Sequence, residues 1–309
     1  MTTEPSSAVE PAKPRGTAVA LVAAMRPKQW LKNVLVFAAP LAAGSLMQPA
    51  VLLPSIGAFI AFCLLSSATY LLNDVRDVEA DRAHPVKRMR AIAAGEISPT
   101  LAMVAAAVLA LAAFGVALSI NLALVGVLAV YAASTISYSM FLKHEPVIEL
   151  ALLALGFLLR AIAGGVASEL PISEWFLIVA GFGSLFMAAG KRYSELTHAL
   201  DGAGGTPREG TRRSLAGYTP AYLRFVWATS AAVTITGYCL WAFEVSAAPS
   251  TLPWAAWSIL PFVLAILRYA VDVDKGDAEA PEDVVLRDRM MLVLGLIWLV
   301  LFALGALGV

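Results

Sequence analysis

Long apolar runs, separated by short polar connections, occupy most of the chain. The runs near 30–47, 52–75, 100–119, 121–142, 147–168, 173–191, 220–243, 252–271 and 287–308 each approach the length an α-helix needs to cross a bilayer, about 20 residues. The pattern predicts an all-α polytopic membrane protein with nine transmembrane helices. The gap at Asn121 is so short that the third and fourth spans should form a tight hairpin. The run "TAVALVAAM" is too short to span, so residues 16–28 read as an interfacial lead-in. Residues 1–15 are rich in Pro, Ser and Glu and read as a disordered tail, leaving 16–309 as one membrane-embedded domain.

Composition supports this pattern: 60% of residues are hydrophobic and 14% charged, where an ordinary soluble domain carries about 25% charged. The net charge is zero, so there is no bulk electrostatic attraction to nucleic acid. Cys63 and Cys239 lie inside apolar runs and read as small hydrophobes; His84, His144 and His198 have no zinc-like spacing. The basic residues segregate. Arg26, Lys28, Lys32, Arg76, Arg82, Lys87, Arg88, Arg90, Lys143, Lys191, Arg192, Arg268 and Arg287 fall on one side, and the connections near 45–51, 119–122, 168–173 and 244–252 hold no Lys or Arg. This predicts a cytoplasmic N-terminus, an outside C-terminus and a site on the cytoplasmic face of the plasma membrane. A cation-coupled transporter, the alternative from another class, predicts polar lining on both halves. The outer half offers little beyond Arg160.

The most charged stretch is "LLNDVRDVEADRAHPVKRMR", residues 71–90. On a helix leaving the second span, Asp77 falls about 60° and Asp81 about 20° from Asp74. Asp74, Asp77 and Asp81 then form one stripe whose mutual repulsion calls for a cation, with Asn73 beside it on the same helix. Mg²⁺ takes carboxylate oxygens and keeps substrate phosphates and waters as its other ligands, so the stripe suits a Mg²⁺–diphosphate platform. The competing reading is a solvated helix end whose acids pair with Arg82, Lys87 and Arg88. Lys28 and Lys32, four apart at the start of the first span, would share an α-helical face. They suit either a phosphate or the ordinary anchoring of a span.

"NDVRDVEADR" on the second span, nine helices and a one-sided site resemble the UbiA superfamily of intramembrane prenyltransferases. That family carries a second acidic motif, D-x-x-x-D, after the sixth span; here the chain reads "AGKRYSELTHALDGAGG" and has no such pair. "RPKQWLKNVLVFAAPLAAG", "HPVKRMRAIAAGEIS", "KRYSEL" and "EAPEDVVLRDR" resemble one branch of the superfamily. That branch transfers 5-phosphoribosyl from phosphoribosyl diphosphate to decaprenyl phosphate, for arabinan synthesis in the cell wall. The resemblance implies Mg²⁺ as cofactor, Asp74 and Asp77 as catalytic, and Asn73 and Asp81 as supporting metal ligands. It places Tyr193 and Glu195, also as catalytic residues, where the second acidic motif belongs, Tyr193 toward a phosphate and Glu195 toward the ribose hydroxyls or a second Mg²⁺. It puts Lys28, Lys32, Arg82, His84, Lys87, Arg88 and Lys191 around the substrates, although His84 could equally cap its loop. Conventional prenyl transfer to an aromatic acceptor is the alternative within the family. The basic, glycine-rich stretch 192–219 suits equally a lid or an ordinary positive-inside loop, Arg160 a structural or inter-subunit role, and the small residues at 161–165 either helix packing or a homo-oligomer contact.

Overall fold

The computed structural model describes residues 16–201, 215, 217–246, 252–278 and 281–308. α1 (Thr17–Ala24) leads into a 3-10 helix, Pro27–Phe37, which continues as α2 (Ala38–Ala42). α3 (Pro49–Arg76), α4 (Val78–Ala83), α5 (Pro99–Leu118), α6 (Leu122–Met140) and α7 (Ile148–Ala167) follow. The chain then forms α8 (Glu174–Asp201), α9 (Pro220–Ser246), α10 (Trp254–Asp274), α11 (Pro281–Arg287) and α12 (Arg289–Leu307). Among the described residues eight helices are long and apolar enough to cross a membrane: α3, α5 to α10 and α12. They match the second to ninth expected spans, and the chain is an all-α, multi-pass membrane protein.

Among the described residues the count of nine long spanning helices is not confirmed, because the run at 30–47 is a 3-10 helix continued by a short α-helix. A 3-10 helix rises about 2.0 Å per residue against 1.5 Å for an α-helix. Residues 27–42 therefore cover on the order of 30 Å, the depth of a hydrocarbon core, with fewer residues. Three residues per turn also sort the side chains into three stripes. Trp30, Asn33, Val36 and Ala39 face the bundle: the last three are buried, and Trp30 Nε1 donates to Ser67 Oγ at 3.0 Å. Lys28, Leu31 and Val34 form an exposed stripe. Lys32, Leu35, Ala38 and Leu41 form the third, and its three apolar members line an internal cavity. Lys28 and Lys32 thus do not share a face: at three residues per turn they stand about 120° apart.

Two glycines let this segment close the bundle. At Gly164 of α7 a Cβ would stand 2.1 Å from the Val36 carbonyl oxygen. At Gly44, held at φ +64°, it would stand 2.1 Å from the carbonyl of Ala306 in α12. The small residues at 161–165 therefore serve a close approach within the chain. One core gathers the 3-10 helix with α3, α5, α6 and α7 around Phe62, Leu128 and Tyr131. A second gathers α8, α9, α10 and α12 around Phe186, Leu223 and Val273. A smaller third packs α1 against Leu71, Ile92 and Ile97.

The α5–α6 hairpin is as tight as its sequence predicts. Asn121 Oδ1 accepts from Leu124 N–H at 2.8 Å, a side-chain cap on α6, while Nδ2 donates to the Val166 and Ala167 carbonyls, each at 3.1 Å. Arg160, deep in α7, is satisfied inside the chain. It donates to Asn33 Oδ1 at 2.7 Å, the Gly156 carbonyl at 2.6 Å and the Tyr131 hydroxyl at 2.8 Å, and lies 4.7 Å from the Tyr131 ring centre. It pins the 3-10 helix to α6 and α7, a structural role. Alternating helix direction brings the C-terminal ends of α3, α6, α8 and α10 together with the N-terminal ends of α7 and α9, and this end carries nearly all the described Lys and Arg residues.

Candidate active site

At the charged end α3 stops at Arg76, and Asp77 (φ −90°, ψ 11°) both ends it and begins α4. Backbone bonds from Asp77 N–H to the Asn73 carbonyl (2.9 Å) and from Asp81 N–H to the Asp77 carbonyl (2.8 Å) carry the ladder across this break. Asp74 and Asp81 consequently stay on one face, and both are buried. Arg90 Nη1 joins them, donating to Asp74 Oδ1 at 3.1 Å and to Asp81 Oδ2 at 2.7 Å. Arg26 Nη2 donates to the same Asp74 oxygen at 2.6 Å. Asp77 departs from the expected stripe: its carboxylate is 43% exposed and lies 3.9 Å from Lys143 Nζ. The kink at Asp77 turns its side chain away from the other two. The Asn73 side chain is half-buried one residue before Asp74.

Among the described residues no three His, Cys, Asp or Glu side chains cluster closely enough to hold a metal by themselves. The Asp74–Asp81 pair nevertheless fits a hard divalent cation. Two carboxylate oxygens already converge on one cationic nitrogen of Arg90, which stands in for the ion, and Mg²⁺ characteristically uses one or two carboxylates plus substrate phosphates. Sequence reasoning did not single out Arg26 or Arg90 as site residues. Arg90 lies sixteen residues from Asp74, and its role depends on the fold-back of residues 84–90 beneath α4.

A second cluster occupies the position of the missing acidic motif. Arg192 is 1% exposed and Glu149 0% exposed. Arg192 Nε donates to Glu149 Oε1 at 2.9 Å, Nη2 to the Tyr138 hydroxyl at 2.9 Å, and Nη1 to Glu195 Oε2. Lys191 Nζ is 4.0 Å from Glu195. Glu195 is therefore held by an arginine rather than poised alone. Tyr193, expected on a phosphate, is instead a core residue: it is 3% exposed, packs edge-on to Trp227, and accepts from Arg224 Nη2 at 2.7 Å. At this register α8 is packed on several sides, with Arg192, Tyr193 and Ser194 all buried, and the Tyr193 ring goes into the core.

The start of α7 is strained to deliver Glu149. Val147 sits at φ 68°, ψ −51°, with Ile148 N–H bonded to the Pro146 carbonyl at 2.8 Å, a γ-turn of the rare positive-φ kind. For a β-branched residue such a conformation costs on the order of 1–3 kcal/mol. Val147 N–H donates to the Tyr218 hydroxyl at 2.7 Å, which holds the turn. Burial pushes the Tyr218 phenol up to about 12, so this acceptor stays neutral at working pH.

The remaining expected substrate residues are spread over the same end. Arg82 donates to Glu79 at 2.8 Å and to the Ala93 carbonyl at 3.3 Å, and its ion pair is with neither Asp74 nor Asp81. His84 Nδ1 accepts from the Val86 and Lys87 N–H groups at 3.2 and 3.3 Å and so caps its own turn. Lys87 and Arg88 lie on the single 3-10 turn Lys87–Met89. Lys28 is exposed, while Lys32 heads the stripe that lines the cavity. The glycine-rich part of the expected lid, 202–214, and the tail 1–15 lie outside the described residues. The cavity itself has a volume of about 370 Å³ and is almost wholly apolar, bounded by Leu35, Ala38, Phe157, Phe186, Phe262 and Trp298 among others.

Known proteins resemble this chain over nearly its full length. Decaprenyl-phosphate phosphoribosyltransferase of Mycobacterium tuberculosis is 49% identical over 292 residues, covering 93% of this chain and 94% of the relative. The protein of the same name from Corynebacterium glutamicum is 47% identical over 311 residues, covering 96% and 91%. Among solved structures, a UbiA homologue from Archaeoglobus fulgidus bound to DMAPP and Mg²⁺ superposes with a TM-score of 0.70 at 16% identity, covering 94% of this chain and 99% of that one. At that identity the likeness concerns the fold. Residues 33–295 match the UbiA prenyltransferase family, and with that match, the shared fold and the near-half identity to its relatives, this chain belongs to the UbiA prenyltransferase family.

Proposed function

We propose that this chain transfers the 5-phosphoribosyl group of phosphoribosyl diphosphate to decaprenyl phosphate, releasing diphosphate. The observation that carries this reading is the 47–49% identity, over more than nine-tenths of both chains, to proteins named for that reaction. The site's chemistry agrees with it. A donor with several phosphate charges needs many cations, and the chain supplies Arg26 and Arg90 on the acidic pair, with Lys32, Lys87 and Arg88 as further basic residues on the neighbouring segments. Where conventional members of the family place further acids, this chain places Arg192.

Asp74 and Asp81, with Asn73 and Asp77 at the rim, would hold the metal. When bound, Mg²⁺ supplies positive charge to the departing diphosphate. The chain's own residues do the rest. Lys32 would take the acceptor's phosphate at the mouth of the cavity, whose apolar wall receives the first units of the prenyl chain. That phosphate is already anionic, so attack on C1 of the ribose needs no dedicated general base. C1 develops oxocarbenium character as its bond to the diphosphate oxygen breaks, and the acceptor oxygen bonds to the opposite face, inverting the centre. Glu195, oriented by Arg192, is assigned to the ribose hydroxyls, and Lys191 with Lys87 and Arg88 to donor phosphate. Tyr193 acts by positioning Arg224. On this reading the end lies at the cytoplasmic face of the plasma membrane with the C-terminus outside, an orientation that the segregation of basic residues supports.

The test uses purified protein with Mg²⁺, labelled phosphoribosyl diphosphate and decaprenyl phosphate, and label should move into the lipid. Asp74→Asn should lower turnover on the order of 10²–10³-fold, the usual effect of losing a main electrostatic stabiliser. Transfer observed only from a prenyl diphosphate to an aromatic acceptor would refute the reading.

A further inference from the structure

The acidic pair is not vacant: two guanidinium groups neutralise its two carboxylates. The two arginines are held differently. Arg26 sits in a left-handed backbone position (φ 56°), contacts only Asp74 of the pair, and lies 5.0 Å from the centre of the Tyr70 ring. Arg90 bridges both carboxylates through a single nitrogen, at the place where a cation shared by Asp74 and Asp81 would sit. The base of Arg90 is fixed. Its N–H bonds to the Lys87 carbonyl at 2.9 Å, and the next two residues, Ala91 and Ile92, are buried in the small core. Its side chain is 31% exposed and has solvent to move into.

We propose that Arg90 is the resident counter-cation of the resting site, and that a divalent ion displaces it. A doubly charged ion placed between Asp74 and Asp81 occupies the Arg90 nitrogen position and repels the guanidinium. Arg26 keeps its ring contact and its separate approach to Asp74. The displaced Arg90, still anchored at its backbone, becomes a ligand for the donor's phosphate, which a planar guanidinium binds through two hydrogen bonds. Metal entry thereby converts a closed, self-neutralised site into one with a free phosphate clamp, and so sets the order of binding as metal first, donor second. This rests on the proposed metal site and adds to it the residue that couples metal to donor.

Two signs distinguish the idea from a plain phosphate-binding role. The full-length protein in detergent is titrated with Mn²⁺ alone, followed by electron paramagnetic resonance, for wild type, Arg90→Gln and Asp74→Asn. Arg90→Gln should bind Mn²⁺ at least about fivefold more tightly, because its competitor is gone, yet bind phosphoribosyl diphosphate in the presence of Mg²⁺ about tenfold or more weakly. Unchanged or weaker Mn²⁺ binding by Arg90→Gln overturns the inference while leaving the metal reading intact. Wild-type Mn²⁺ affinity in Asp74→Asn would instead overturn the metal reading itself. Because Arg90→Gln could disturb folding, the wild-type chain supplies an independent measurement. Labelling of Arg90 by phenylglyoxal, read by mass spectrometry, should speed up when Mn²⁺ is added and slow again when the donor follows. Labelling that Mn²⁺ leaves unchanged or slows overturns the inference.

Discussion

Replacing Arg192 with Met should be among the most damaging single changes outside the acidic pair, and a second substitution should largely reverse it. Arg192 and Glu149 are 1% and 0% exposed, with Nε and Oε1 2.9 Å apart. At an effective dielectric near 20, this separation corresponds to an attraction of about 6 kcal/mol. Removing two ions from water costs several kcal/mol each, so the intact pair is near neutral relative to well-packed apolar residues. Breaking it is another matter. Arg192→Met leaves a fully buried Glu149 carboxylate without its main counter-charge, a loss of about 3–5 kcal/mol. Glu195, the other acid on Arg192, is 19% exposed and lies near Lys191, so its release adds little. The strained γ-turn at Val147 exists to place Glu149, and its strain then goes uncompensated. Unfolding in lipid–detergent micelles titrated with SDS, followed by tryptophan fluorescence, measures the loss. The double variant Arg192→Met/Glu149→Leu should regain most of it, since it removes the stranded charge along with its partner. A single variant that loses less than about 1 kcal/mol, the range of an exposed ion pair, would refute the reasoning. So would a double variant no more stable than the single one.

Two further outcomes follow from the geometry. Lys32→Ala should raise KM for decaprenyl phosphate about tenfold or more, the value of a charge-assisted hydrogen bond, while Lys28→Ala should change it less than about twofold; equal losses would contradict the three-stripe arrangement. Asp288 accepts from Arg268 and caps α12 by accepting from the Met290 and Met291 N–H groups; the Arg268 hydrogen bond above all, and then the two caps, hold its carboxyl below its ordinary value. A depressed folded value means its contribution is present above the unfolded carboxylate range and is lost as pH falls through the folded one. Asp288→Ala should therefore flatten the acid side of a thermal-stability profile, and an unchanged profile would contradict the capping role.

Much of the fold was legible from the spacing of apolar residues, because a bilayer demands a minimum length of uninterrupted helix and forbids unpaired backbone. α3, α5 to α10 and α12 fall where those runs lie. The first run misled because hydropathy carries no information about residues per turn. Lys28 and Lys32 read as neighbours at 3.6 residues per turn and separate at three. The acidic stripe was half legible: helical angles correctly place Asp74 with Asp81, but the break at Asp77, which no local signal announces, turns that carboxylate toward Lys143. Lys191 and Glu195 enter the proposed site only by resemblance, and the burial of Tyr193 was not legible because its identity does not reveal which way α8 is rotated.

The sequence alone determined that this is a membrane-embedded bundle with nearly all its Lys and Arg at one end, and it brought Asp74 and Asp81 together as candidate metal ligands, since burial cost in lipid and helical periodicity act locally along the chain. Only the tertiary structure decided which cations those acids meet. Arg26 and Arg90 reach Asp74 across separations of forty-eight and sixteen residues, and Glu149 reaches Arg192 across forty-three. Such contacts depend on how helices rotate and close against one another at Gly44 and Gly164, and side-chain charges at that range leave no periodic trace in the chain.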